Sequence, residues 1–179
     1  MPSPRIVDEE DMTPELDAAI RRSLCLCFPA DQATFSRTRK WHGTGPAYSS
    51  LIELNNNVIA HVGVVERTLR FGEIPAKAAG IQNVFVLPDH RGQALADAVL
   101  LAAQDEAARR RFDCGVLFCV PELEKVYARC GWQTIHNQVV RVDETGSTQA
   151  IPSKNICMFL PIGLRVAPPG LLHLGGNDW

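Results

Sequence analysis

Between Tyr48 and Leu87 three largely apolar stretches, "YSSLIEL", "VIAHVGVVERTLRF" and "IPAKAAGIQNVFVL", are separated by turn residues at Asn55-Asn56-Asn57 and Gly72-Glu73. Branched side chains bounded by short polar turns predict three strands joined as an antiparallel meander. After Pro88-Asp89-His90-Arg91-Gly92 the period changes. Leu95, Ala98, Val99, Ala102 and Ala103 share one helical face through Ala107, which predicts a helix of about 18 residues. "CGVLFCV" (Cys114 to Val120) is a further strand. "PELEKVYARCG" opens with proline and two acids, closes with basic residues and a glycine, and puts Leu123, Val126, Tyr127 and Cys130 on one face, predicting a short amphipathic helix. Upstream, Arg5 to Val7 predicts a strand, and Thr13-Pro14-Glu15 reads as cap, first-turn proline and first-turn acid of a helix running toward Cys27. Residues 29 to 48 have no period. Downstream, "WQTIHNQVVRV" and "NICMFLPI" predict strands around a polar loop at 143–154, and a Pro/Gly-rich tail leads to Trp179.

A strand, helix, strand crossover demands parallel neighbours, whereas the meander is antiparallel, so the expected fold is a mixed α/β sheet. At 179 residues the expectation is a single domain over 1–179. With 46% apolar and 21% charged residues and a formal charge of -2, the composition is that of an ordinary globular protein and gives no electrostatic case for nucleic acid. The basic run Arg109-Arg110-Arg111 falls at the predicted helix end, where cations complement the backbone dipole. No stretch reaches the roughly 18 apolar residues that span a bilayer, and the N-terminus is acidic where a signal peptide is basic then apolar. A cytoplasmic location and no membrane partner are expected. Six cysteines lie among apolar neighbours without a CxxC pair, which predicts that most are buried thiols and that no metal is bound.

The passage from strand to turn to helix at "VFVLPDHRGQALADAVL" can bind phosphate through backbone alone, because a helix N-terminus exposes unpaired N–H groups and the positive end of the dipole. Neither GxxxxGK[ST] nor GxGxxG is present, which removes the common nucleotide motifs. With "LEKVYARCGW", this run resembles the GCN5-related N-acetyltransferases. The resemblance implies the acyl-CoA N-acyltransferase fold and acetyl-CoA as co-substrate, its pyrophosphate on Arg91, Gly92, Gln93, Ala94, Leu95 and Ala96. Ala94 stands where the middle glycine is usual. It further implies a bulged strand at Val84, Phe85 and Val86 whose amides take the thioester carbonyl and the pantetheine arm. Tyr127 matches the tyrosine that protonates the departing thiolate, a core tyrosine being the alternative.

Within that family the chain is similar over most of its length to the aminoglycoside 2'-N-acetyltransferases, in its meander, in "RGQ", "YARCGW" and "FLPI", and in its final tryptophan. The resemblance implies a small-molecule amine acceptor near Asp31, Gln82, Asn83, Asp178 and Trp179. Gln82 occupies the place of the subfamily's base glutamate, and an amide cannot accept a proton near neutral pH. Ser36, Ser153 and Asn177 stand where other pocket acids are usual, so a strongly cationic acceptor is disfavoured. His61, in "IAHVG", titrates in the right range to serve as base, with a structural histidine as the alternative. Glu53 and Glu66 are weaker candidates, and Trp41 and His42 suit acceptor contact or surface packing equally. Cys119, beside the cofactor, is read as a structural thiol before a nucleophile. A longer-chain acyltransferase resembling the nodulation N-acyltransferases, and a CoA-binding sensor that lost its base, are the competing readings. A homodimer is compatible with all three.

Overall fold

The computed structural model describes residues 3–179; Met1 and Pro2 lie outside the described residues. Its spine is the meander, with β2 (Tyr48–Leu54), β3 (Asn57–Phe71) and β4 (Ile74–Val86). β3 pairs antiparallel with β2 along the half that begins at Asn57, and with β4 from Phe71↔Ile74 to Ala60↔Val86. β1 (Arg5–Asp8) extends the β2 edge.

Alternation along the strands assigns the two faces, because successive side chains in a strand point to opposite sides. Leu51 packs with Leu16, Ile20 and Leu24 of α1 (Pro14–Cys27). Its neighbour Ile52 packs with Val99, Leu100 and Ala103 of α3 (Leu95–Arg109). α1 starts as the sequence indicates, with the Thr13 hydroxyl accepting from Leu16 N at 3.2 Å.

α3 leads into β5 (Cys114–Cys119), which lies parallel to β4, and β9 (Ile156–Pro161) pairs antiparallel with β5. The sheet is therefore mixed, as expected. α3 has 15 residues, shorter than the sequence suggests. Arg109 and Arg110 both pair with Glu106, and Arg110 also pairs with Asp8, so the basic run seals the helix end.

Several details depart from the local pattern. "PELEKVYARCG" forms a 3-10 turn at Pro121–Leu123 followed by a five-residue α4 (Glu124–Ala128). "WQTIHNQVVRV" is two strands, β6 (Gln133–Ile135) on β9 and β7 (Val139–Val142) elsewhere in the sheet. The polar loop contains β8 (Thr148–Ala150), paired with β7 around a turn in which the Asp143 carboxylate accepts from Thr145 N and Ser147 N, both at 2.9 Å. The tail contributes β10 (Leu172–His173) between β3 and β7, because Leu172 and Leu174 are apolar enough to close that edge of the core. The aperiodic stretch holds a 3-10 turn at Pro29–Asp31, the single-turn helix α2 (Gln32–Phe35) and a tight turn at 41–44. Among the described residues no helix is long and apolar enough to cross a membrane.

Candidate active site

β4 and β5 pair only over Ala78–Gly80 and Cys114–Val116, and beyond that point they part. Glycines stand at the fork for want of room. A Cβ on Gly80 would lie 2.7 Å from Cζ2 and 2.8 Å from Nε1 of Trp179, and one on Gly115 would lie 2.7 Å from Cη2 of Trp132. Trp132 belongs to the core under α3, and Trp179 to the core of the other face. The two indoles thus wedge the fork from opposite sides.

Above the fork β4 carries a bulge. His61 pairs with Phe85 and Gly63 with Gln82, so Asn83 and Val84 together oppose Val62 alone, which takes both out of the regular ladder. Asn83 adopts a φ of 54°, a conformation that asparagine tolerates better than most residues. Its Nδ2 donates to the Arg39 carbonyl at 2.7 Å. Its own carbonyl accepts from His61 Nδ1 at 2.9 Å, which leaves His61 Nε2 to accept from the Ser49 hydroxyl at 3.1 Å. His61 is stacked on Phe85 and fully buried, and burial pushes its pKa down to about 4. The imidazole is a neutral clamp on the bulge, with neither nitrogen open to a substrate.

One cavity, of about 570 Å³, follows the opening on the α3 side. Val84, Phe85 and Val86 line one wall, and Val126 and Tyr127 the other. Arg91, Gly92, Ala94, Leu95 and Ala96 form its floor; Gln93 does not line it. Gly92 has φ 76° with open space where a side chain would begin. Ala94 is left-handed (φ 55°, ψ 21°) and offers the helix no side-chain cap, so the first-turn N–H groups of α3 remain available to an anion. That conformation is why glycine is usual at this position, since a Cβ in the left-handed region costs roughly 1–2 kcal/mol. His90 and the Asp97–Arg129 pair (2.9 Å) also border the cavity. The Asp97–Arg129 pair escapes the sequence reading because its members are 32 residues apart in the chain. Backbone donors, flanking cations and apolar walls together suit a pyrophosphate with an extended apolar arm.

A second cavity, of about 250 Å³, lies on the other side of the opening and shares Val84, Leu123 and Tyr127 with the first. Aromatic side chains dominate it: Phe28, Trp41, Phe118 and Trp179, with Asp31 as its charged group. Gln82 and Asn83 also line it. Gln82 is 5% exposed; its Nε2 donates to Thr44 O at 3.3 Å, while Oε1 is buried without a partner. Tyr127, at the junction, packs edge-on to Trp132, and burial raises its pKa above the ordinary phenol value. The Cys119 thiol beside it is likewise pushed up to about 11 by burial, which makes it a poor nucleophile. Asp178 does not line the cavity. Its carboxylate is 5% exposed and accepts from Arg141 Nη1 at 2.5 Å and from His42 Nδ1 at 2.8 Å. Glu53 pairs with Arg5 and Glu66 with Lys77, away from both cavities.

A bulged strand parting from its parallel neighbour, with an uncapped helix start below the gap, defines the acyl-CoA N-acyltransferase fold of the GCN5-related class. Solved structures agree on the fold. An acyl-CoA N-acyltransferase from Pseudomonas aeruginosa matches with a TM-score of 0.65 at 15% identity, over 89% of this chain and 99% of that one. A GNAT family acetyltransferase from Brucella melitensis, in complex with acetyl-CoA, matches at 0.59 and 17% identity over 96% of both chains. The chain belongs to the nodulation protein A (NodA) family, whose model matches residues 5–168. It is also 26% identical over 160 residues to an aminoglycoside 2'-N-acetyltransferase of Mycolicibacterium fortuitum, covering 89% of this chain and 80% of that one. The family is thus that of the competing enzyme reading, and the subfamily resemblance remains as a distant relationship.

Proposed function

We propose that the protein transfers the acyl group of acetyl-CoA to the primary amine of a small acceptor, an amino sugar or a weakly cationic aminoglycoside. The observation that carries this reading is the meeting of two cavities at Tyr127, one suited to pyrophosphate and pantetheine and one suited to a stacked, sparsely charged molecule. Amides near the Asn83–Val84 bulge polarise the thioester carbonyl, a preorganised arrangement that favours the charge developing there. The acceptor stacks on Trp41 and Trp179 beside Asp31, and Tyr127, kept protonated by burial, gives its proton to the departing sulfur. Each charge-assisted contact to an ammonium contributes roughly 1.5–3 kcal/mol, so a wall with Asp31 as its charged group favours an acceptor with few amines.

Thiol release from acetyl-CoA with glucosamine, spermidine and tobramycin tests this reading. The expected result is turnover with glucosamine in excess of that with spermidine. Tight acetyl-CoA binding without turnover on any amine would instead mark a CoA-binding domain. A longer-chain donor is the second reading, favoured by the family match and by Leu123 and Val120, which border the acceptor cavity at 43% and 36% exposure. Preference for palmitoyl over acetyl donors would establish it.

A further inference from the structure

The reaction needs a base, since a protonated amine has no lone pair, and the groups near the acceptor cavity can be taken in turn. Gln82 is an amide. His61 has both nitrogens engaged. Cys119 and Tyr127 hold their protons, and Asp178 is bound to Arg141 and His42. His42 remains. It forms the tip of a tight turn closed by Thr44 N donating to Trp41 O at 2.8 Å, with φ 45° at His42 and 76° at Gly43. Its ring lies 4.9 Å from that of Trp41, an acceptor-cavity residue. Thr44, two residues on, takes the Gln82 amide, and Trp179, another lining residue, adjoins Asp178.

We propose that His42, oriented by Asp178, is the general base of the acyl transfer; this rests on the acyltransferase reading above. Nδ1–H donates to the buried carboxylate at 2.8 Å, which fixes the tautomer and leaves Nε2 as the acceptor, without a protein partner among the described residues. The side chain is 36% exposed, so the proton can pass on to solvent. A histidine held in a left-handed conformation is a strained choice for a turn tip, and the carboxylate bond offsets that strain. The charged groups around the pair are Arg141 on the same Asp178 oxygen, Arg67, which bonds Asn177 O and Thr44 Oγ1, and Asp31 in the cavity. Arg141 is paired with the Asp178 carboxylate and Arg67 acts on it at longer range, so the carboxylate orients the imidazole while its charge is already partly met.

The protons balance as follows. Nε2 takes one proton from the acceptor ammonium, directly or through one water, and the freed lone pair attacks the carbonyl carbon. The carbon–sulfur bond breaks as the amide forms; Tyr127 gives its proton to sulfur and recovers one from the acylated nitrogen. The imidazolium releases its proton to solvent.

His42→Asn separates this role from a structural one. Asparagine accepts the positive φ and can still donate to Asp178, yet offers no basic nitrogen. With glucosamine or whichever panel amine wild type turns over best, kcat/KM is expected to fall at least about 100-fold. The acid limb of its pH profile should disappear while acetyl-CoA affinity and thermal midpoint hold. His42→Gly should regain turnover with added imidazole. Undiminished turnover and an unchanged pH profile in His42→Asn would overturn the base assignment alone. No turnover by wild type with any amine or donor would overturn the acyltransferase reading, and the base with it.

Discussion

The fork in the sheet allows a prediction whose sign reverses with background. At Gly80 a β-carbon would press into the Trp179 indole. The ring cannot yield easily, because it packs against Phe118 at 5.6 Å and beneath the Arg67 guanidinium at 5.2 Å. Overpacking of this kind costs about 1–3 kcal/mol. For a domain of this size 1 kcal/mol corresponds to roughly 2–4 °C, so Gly80→Ala should lower the thermal midpoint by about 2–12 °C. Gly80 is not among the residues with positive φ, so alanine fits the backbone. Once the indole is removed, the remaining effect is the reduced entropy of the unfolded chain, which favours alanine by about 0.4–1 kcal/mol. In a Trp179→Ala background, itself destabilised, Gly80→Ala should therefore raise the midpoint by about 1–4 °C. Four midpoints measured by differential scanning calorimetry complete the double-mutant cycle. An equal loss in both backgrounds would refute the steric account of the fork.

Ala94→Gly should stabilise the protein by about 0.5–1 kcal/mol, seen as a rise in urea midpoint, because relief of left-handed strain outweighs the added freedom of the unfolded chain. Tyr127→Phe keeps the buried ring, so kcat should fall by about 100-fold or more with acetyl-CoA affinity little changed, by thiol release and calorimetric titration. His61 sets a pH dependence. Its folded pKa of about 4 lies below the ordinary histidine value of 6.5, so the unfolded chain binds the proton more readily. The stability from this group is complete above pH 6.5 and is lost as pH falls toward 4. The loss is on the order of 3 kcal/mol, measured as the excess over His61→Gln in urea unfolding across that range.

The meander, the strand, turn, helix passage and the Thr13 cap were legible because each rests on short-range periodicity or turn chemistry. Ala94 was legible as a departure from a pattern, and its backbone explains what the pattern is for. His61 shows where local reading stops. A histidine in a strand suggests a base, but Ser49, Phe85 and the Asn83 carbonyl together make it a clamp, and none of the three adjoins it in sequence. Asp178 is similar: its partners His42 and Arg141 meet it through the turn at 41–44 and the pairing of β7 with β10, and β10 is too short for the sequence to announce. Gln82 was readable as an amide where the resembling subfamily keeps a base, whereas its orphaned oxygen required the fold.

The sharing of Val84, Leu123 and Tyr127 by two separately open cavities has a kinetic consequence. Under the proposed function, donor and acceptor occupy the two cavities together, with the reacting carbon at the wall they share. Initial-rate lines at varied donor and acceptor should intersect, as in a ternary-complex mechanism, instead of running parallel. A single molecule joining the amine to the coenzyme through the transferred carbon would span both chambers and compete with each substrate in turn.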